Sequence, residues 1–444
     1  MLLTLALQIA GARGLAAPVG PIPPPVTELV NGWLKEQAAP GVSIAAVNRD
    51  GLLWAGGFGL ADVGSQRPAT AATRYQFASV TKVYTGLLVA QLVADGKVDL
   101  RAPLSTYLPE FQPRYAQPDG RAVTMLDVAT HSAGFTRDMI GTKASGKFHS
   151  YTLAELLAWQ RDTGMTALPG LQYRYSNFGF AVLGAALERA AGGEYRALLR
   201  ERVLKPLGLD DTGFAELRSR PDVATGYHRT EDHLTRGTDF VWDFGAQAPA
   251  SELISTVEDV ARFGQAHFCQ PPSGAVPVGV RALLFTPHFP IGEGSAMGLA
   301  WHYQWGGGVP RWVHGGSVND YRSLIVIRPD VGVGIALAAN GEADLGKLEL
   351  PLLRLIASEA DGREQDSVVG DYEPPNGGTK VMIRRNPDAV LTIEVKGAIR
   401  MVPWGPQTYR IIEGLNQNEW VRFVREGDLQ VMVWEGRRFV RRPL

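Results

Sequence analysis

The stretch Phe77–Gly96, FASVTKVYTGLLVAQLVADG, constrains the chain more than any other. Its apolar run has helical length, and Asp95-Gly96 closes it with a C-cap signal. A run apolar on so many sides belongs in a core. Yet its first turn carries Ser79 and Lys82, three residues apart and therefore on one helical face. Taken alone, the pair reads as an N-cap serine followed by a solvated lysine. Taken with its surroundings, it reads as a nucleophile beside its base. The first turn of a helix also offers unpaired N–H groups that favour developing negative charge.

The rest of the chain supplies those surroundings. After the proline-rich Pro18–Pro25 segment, Val26, Leu29, Val30 and Leu34 have helical spacing. GVSIAAVNRDGLLWAGGFGLAD predicts strand, turn and strand, with the turn at Asn48-Arg49-Asp50-Gly51. Gly56, Gly57 and Gly59 lack the dinucleotide-binding fingerprint and follow the second strand, so that reading is rejected. Helices are predicted over Leu153–Arg161, Phe178–Ala191, Tyr195–Val203 and Ser255–Phe263. Strands return in YRSLIVIRPDVGVGIALAAN, and LGKLELPLLRLIASEA reads as a closing helix despite Pro351. Strands at both ends with helices between predict an α/β sandwich. Its antiparallel sheet is built from both termini of the domain, with a largely helical insertion.

Near residue 362 the pattern changes. Six short alternating runs between Val369 and Leu444, separated by turn signals such as Asn386-Pro387-Asp388, predict a small antiparallel β-barrel-like domain. The expected division is a leader at 1–17, a main domain at 18–362, a linker at 363–368 and the β domain at 369–444. The leader reading rests on the apolar Leu2–Ala10 run followed by small residues, which matches a secretory signal without its basic start. It predicts a secreted or periplasmic protein. No later run reaches bilayer-spanning length, so no integral membrane segment is expected.

Composition narrows the function classes. With 44 basic and 45 acidic residues the net charge is −1, which gives no footing for nucleic acid. The single Cys269 excludes an intramolecular disulfide and a cysteine-rich metal site, and it reads as an incidental residue. The histidines show no H-E-x-x-H pattern, so no metal is expected.

Three more segments bear on Ser79 and Lys82. Tyr175-Ser176-Asn177 lies in a loop before the Phe178 helix, and His314-Gly315-Gly316-Ser317 lies just before the strand YRSLIVI. Thr130–Phe135, THSAGF, reads as a helix end turning sharply, with His131 packing the turn. S-x-x-K, then Y-x-N, then His-x-Gly, in that order, resembles the penicillin-binding and class C β-lactamase superfamily of serine hydrolases over roughly Val26–Ala360. The resemblance extends to GKVDLRAPLSTYLPEF, RYSNFGFAVLGAALERAAG and VLKPLGLDDTGF.

The resemblance implies roles. Ser79 would be the acylated nucleophile, Lys82 its base and Tyr175 a proton relay to the leaving group. Asn177 would hold the substrate, together with the edge formed by His314, Gly315 and Gly316. The backbone N–H groups of Ser79 and Ser317 would form the oxyanion hole. No cofactor is implied. Lysine can act as a base near pH 7 only if its pKa falls about three units from 10.4, roughly 4 kcal/mol, which burial can supply. Class C β-lactamases carry Lys-Thr-Gly where this chain has His314-Gly315-Gly316. A neutral imidazole and a missing hydroxyl disfavour β-lactam carboxylates. Histidine there resembles the DD-carboxypeptidase and D-aminopeptidase branches, and the related esterases tolerate variation.

The expected function is therefore hydrolysis of an ester or amide through an acyl-enzyme, on short D-amino-acid peptides or small esters. A β-lactamase is one alternative. A catalytically silent binding or assembly member is another, although binding alone does not need Ser79, Lys82 and Tyr175 together. An α/β-hydrolase is excluded because GGSVN lacks the final glycine of a nucleophile elbow. The β domain resembles lipocalin-like modules appended to some of these hydrolases, and it is expected to cap the site or mediate self-association.

Overall fold

The computed structural model describes residues 19–115, 120–138, 150–230, 233–237, 244–268, 275–292, 294–305, 309–329 and 331–356, and the strand segments between 370 and 441. The leader, Cys269 and the 363–368 linker lie outside the described residues.

Nine antiparallel strands form the main sheet. From one edge to the other they are Arg67–Pro68, Gly51–Asp62, Gly41–Asn48, Val333–Ala339, Tyr321–Arg328, Arg311–Val318, His302–Gln304, Ser295–Met297 and Phe289–Gly292. Val42 pairs with Ala339, so the first and last strands of this sheet in chain order are neighbours within it, and the sheet is built from both ends of the domain as expected. Gly41–Val47 is buried throughout because both faces of the sheet are covered. Alternation sorts its side chains. Ala45 and Val47 join the core beneath the helical region, while Val42, Ile44 and Ala46 join a second core. That second core takes Val26, Val30 and Trp33 from the helix Pro24–Gln37, and Leu348, Leu352 and Leu353 from a helix over 346–356. Each such buried aliphatic side chain contributes about 1.5–3 kcal/mol.

The apolar run after Lys82 forms the helix Thr81–Ala94 in the middle of the larger core. Every residue from Thr81 to Ala90 is buried. Gly86 allows the helix to approach closely, since a β-carbon there would press on the Leu299 carbonyl. Thr124 with Asp127, and Thr152 with Glu155, form reciprocal capping boxes on two helices of the insertion.

Several local expectations are corrected. Ser255 belongs to the strand Ile254–Thr256, and Thr256 caps the helix Val257–Gln265 that follows. The Tyr195 helix ends at Leu199 and widens into a π turn over Arg200–Leu204. His314–Ser317 precedes the strand Tyr321–Arg328, as expected, and itself lies in the strand Arg311–Val318. Between Gly370 and Arg441 eight strands, not six, pair in sequence order and close between Gly370–Glu373 and Arg437–Arg441. Ala398–Gly405 escaped the alternation test because Pro403 and Gly405 interrupt it, and the register shifts there. None of these strands pairs with the nine-stranded sheet among the described residues. Nor is any helix among them long and apolar enough to cross a membrane.

One buried side chain makes the stability of the larger core depend on pH. His267 is fully buried among Phe263, Phe285 and Trp301, and its Nδ1 donates to the Phe263 carbonyl at 2.7 Å. Burial lowers its pKa from 6.5 to about 4. Between those values the unfolded chain binds a proton that the native protein refuses, so stability falls as pH falls through this window. The loss attributable to His267 is about 3 kcal/mol by pH 4. Urea unfolding at pH 7.5 and pH 4.5 should show a smaller acid loss in His267→Gln than in the parent, and equal losses would refute the assignment.

Candidate active site

The serine turn is a short 3₁₀ segment, Ala78–Val80, leading directly into the helix Thr81–Ala94. Ala78 has φ +46°, a left-handed conformation that turns Ser79 out at the mouth of the helix. The segment 249–253 grips this turn from below. Phe77 N–H donates to the Leu253 carbonyl at 2.9 Å. Leu253 N–H donates to Thr81 Oγ1 at 3.0 Å, and Thr85 Oγ1 donates to the Pro249 carbonyl at 2.8 Å. Glu252 anchors that segment on its other side through buried ion pairs with Arg196 and Arg218.

Lys82 is wholly buried. Its Nζ lies 3.2 Å from Ser79 Oγ and donates to Asn177 Oδ1 at 2.6 Å and to the Ala250 carbonyl at 2.8 Å. Burial pushes its pKa well down, with Arg137 adding to the effect and Asp138 opposing it. Burial thus favours the uncharged amine over the ammonium. Burial raises the pKa of the Tyr175 phenol well above its ordinary range, with neighbouring Ser79 opposing the shift. Lys82 Nζ sits 4.8 Å from the centroid of the Tyr175 ring. The structure therefore brings Ser79, Lys82, Tyr175 and Asn177 to one point.

His131 places Tyr175. It occupies the sharp turn after the helix Met125–Ala129 with φ +57°. Its carbonyl accepts from Arg174 N–H at 2.7 Å, and its Nδ1 accepts from Ser176 N–H at 3.0 Å. Its ring stacks on Tyr175 at 4.3 Å. Ser176 then caps the helix Asn177–Ala191 by accepting from Gly179 N–H, which sets Asn177 at the helix start.

The opposite wall is the strand Arg311–Val318. The short strand His302–Gln304 reaches only Arg311–Val313 of this strand, so among the described residues no strand pairs on that side from His314 onward. Gly316 faces the serine turn, where a β-carbon would collide with the Phe77 carbonyl and Ser323 Oγ. Ser323 Oγ itself donates to that carbonyl at 2.7 Å. Gly315 points the other way, with nothing closer than 3.8 Å. The close approach to the serine turn thus belongs to Gly316 and not to Gly315.

His314 is buried at 2% exposure, a wall residue more than an exposed contact. Its Nδ1 donates to the Gly315 carbonyl at 2.8 Å, which leaves Nε2 as a bare acceptor. Burial lowers its pKa well below 6.5, and that of neighbouring His302 to about 4. The His302 and His314 rings meet at 5.3 Å, and Tyr173 packs edge-on to His302. Sequence reasoning missed His302, Tyr173, Arg137, Asp138 and the Ala250 carbonyl. Arg137 and Asp138 follow THSAGF almost directly, so proximity to that motif was an available signal. The Ala250 carbonyl, a backbone group, carries no signal in its residue type.

An antiparallel sheet flanked by helices, with S-x-x-K opening a buried helix against one of its strands, defines the serine β-lactamase and penicillin-binding protein superfamily. A family model described as Beta-lactamase matches residues 26–358, and the chain belongs to that family. Penicillin-binding protein 4 of Amycolatopsis lactamdurans is 29% identical over 325 residues, 69% of this chain and 82% of that protein. Esterase EstB of Burkholderia gladioli is 32% identical over 258 residues, 55% of this chain and 62% of that protein. The octameric penicillin-binding protein homologue from Pyrococcus abyssi superposes with a TM-score of 0.66 at 22% identity, covering 94% of this chain and 99% of that one. That likeness extends the shared fold beyond the region of the family match.

Proposed function

We propose that the protein is a serine hydrolase that cleaves an ester or amide through an acyl-enzyme on Ser79. The observation that carries this reading is the fully buried Lys82 amine 3.2 Å from Ser79 Oγ. A free serine hydroxyl is a weak nucleophile and needs an adjacent base. Neutral Lys82 takes the Ser79 proton as Oγ attacks the substrate carbonyl. Tyr175, over the Lys82 amine, gives its proton to the leaving oxygen or nitrogen as the bond to the carbonyl carbon breaks, and takes in its place the proton that Lys82 accepted from Ser79. Water then attacks the acyl-enzyme and returns Ser79. The tetrahedral oxyanion is received by the N–H groups of Ser79 and of Ser317 on the open strand edge, each worth about 3–4 kcal/mol.

The substrates that fit are small esters and short D-amino-acid peptides. A neutral His314 in the wall offers no charge to a β-lactam carboxylate. The similarity to a penicillin-binding protein and to an esterase supports the same pair of substrate classes. The β-strand module at 369–444 is proposed as a separate domain that caps the site or joins copies of the chain. The octameric assembly named for the Pyrococcus abyssi homologue is consistent with the second role. Secretion or a periplasmic location is proposed from the N-terminal sequence alone.

A panel of p-nitrophenyl esters, D-amino-acid p-nitroanilides, D-Ala-D-Ala peptides and nitrocefin tests this reading on the parent and on Ser79→Ala. Turnover of esters or D-peptides is expected, with loss in Ser79→Ala. Turnover of nitrocefin alone would reverse the substrate ranking. A fluorophosphonate that fails to label Ser79 would favour a binding or assembly role.

A further inference from the structure

The Lys82 amine faces three polar atoms, and their chemistry limits how it can point. A neutral primary amine has two hydrogens and one lone pair. The Ala250 carbonyl can only accept, so it takes one hydrogen. Ser79 must find the lone pair if its proton is to leave. The outcome then depends on which end of the Asn177 amide faces the amine. An oxygen there takes the second hydrogen and leaves the lone pair for Ser79. An NH₂ group there would donate into the lone pair and quench the base.

Asp138 decides between the two. Its Oδ1 lies 2.6 Å from Asn177 Nδ2, and a carboxylate only accepts. The NH₂ end must therefore face Asp138, which turns Oδ1 toward Lys82 at 2.6 Å. The arrangement is backed by the main chain, since Asn177 N–H donates to the Arg137 carbonyl at 2.8 Å. We propose that Asp138 is a positioning residue that locks the Asn177 amide, so that the Lys82 lone pair is presented to Ser79. The proposal rests on the serine-hydrolase reading above.

The charged and titratable groups around Lys82 come from every side. Asp138 and Arg137 sit on the loop after the helix Met125–Ala129, and His131 on the turn before them. Tyr175 lies over the amine, and His302 and His314 face it from the sheet. Of these, only Asp138 bears a carboxyl group. Its removal has two separable effects. Loss of the charge moves the acid limb of kcat to lower pH, because the ammonium form of Lys82 is no longer favoured. Loss of the acceptor frees the Asn177 amide to rotate and lowers the plateau.

The test uses the full chain, a p-nitrophenyl ester and the rate of fluorophosphonate labelling at Ser79. Asp138→Ala should lower the kcat plateau at least tenfold with little change in KM, and should shift the acid limb down. Asp138→Asn should recover most of the plateau, because its own carbonyl can accept from Asn177 Nδ2, yet keep the shifted limb. A role confined to holding the loop would lower the melting temperature in both variants and leave the limb in place. An unchanged plateau and limb in Asp138→Ala would overturn the inference. Failure of the parent to label at Ser79 would instead overturn the hydrolase reading itself.

Discussion

Lys82→Met is expected to lower kcat on any turned-over ester by about 10³-fold or more, because it removes the general base and supplies nothing in its place. The substitution suits the site in volume. Lys82 is wholly buried in a helix whose neighbours are apolar, and methionine is unbranched and adaptable. The helix should therefore persist. What is lost is the partner of Ser79 Oγ at 3.2 Å. Asn177 Oδ1 and the Ala250 carbonyl also lose their donor, so a destabilisation of about 1–3 kcal/mol is expected from the unpaired acceptors. Lys82→Arg should be as inactive, because a guanidinium stays protonated at every working pH. Steady-state kinetics with thermal unfolding separates loss of the base from loss of the fold. A folded Lys82→Met variant that retains a tenth of the parent kcat would show that Lys82 is not the base.

Gly316→Ala carries the second large effect. The added methyl would strike the Phe77 carbonyl and Ser323 Oγ together, and neither is the free end of a flexible side chain. Ser323 is already committed to that same carbonyl. The strand must move away from the serine turn, at a cost of about 1–3 kcal/mol for forced overpacking. Displacement by even about 1 Å carries Ser317 N–H off the oxyanion position and costs about 100-fold in rate. Gly315→Ala provides the contrast in stability, since its side faces open space. Equal melting temperatures for the two variants, or a Gly316→Ala enzyme with parental kcat, would show that close approach at this strand is not required.

How much of this was legible beforehand varies from residue to residue. Ser79 and Lys82 were legible because helical spacing is a local rule: three residues along a helix put two side chains on one face. One sheet built from both ends of the domain was legible from the strands at those ends, whereas the pairing of Val42 with Ala339 was not. The strand Ala398–Gly405 was obscured because a proline and a glycine conceal the period that pairing restores. His314 was found, but its buried setting and its bare Nε2 depend on a bond to the next residue's carbonyl.

The amino-acid sequence alone determined the order of the motifs, the buried helix that carries the amine just after the serine turn, and the antiparallel sheet of the domain. These follow from spacing, periodicity and turn chemistry, which act over a few residues. Tertiary structure alone decided that Lys82 is buried, that the Asn177 amide lies between Lys82 and Asp138, and that Gly316 rather than Gly315 meets the serine turn. Each of these depends on what distant segments bring within a few ångströms, because desolvation and hydrogen-bond direction are properties of a packed site and not of any residue in it.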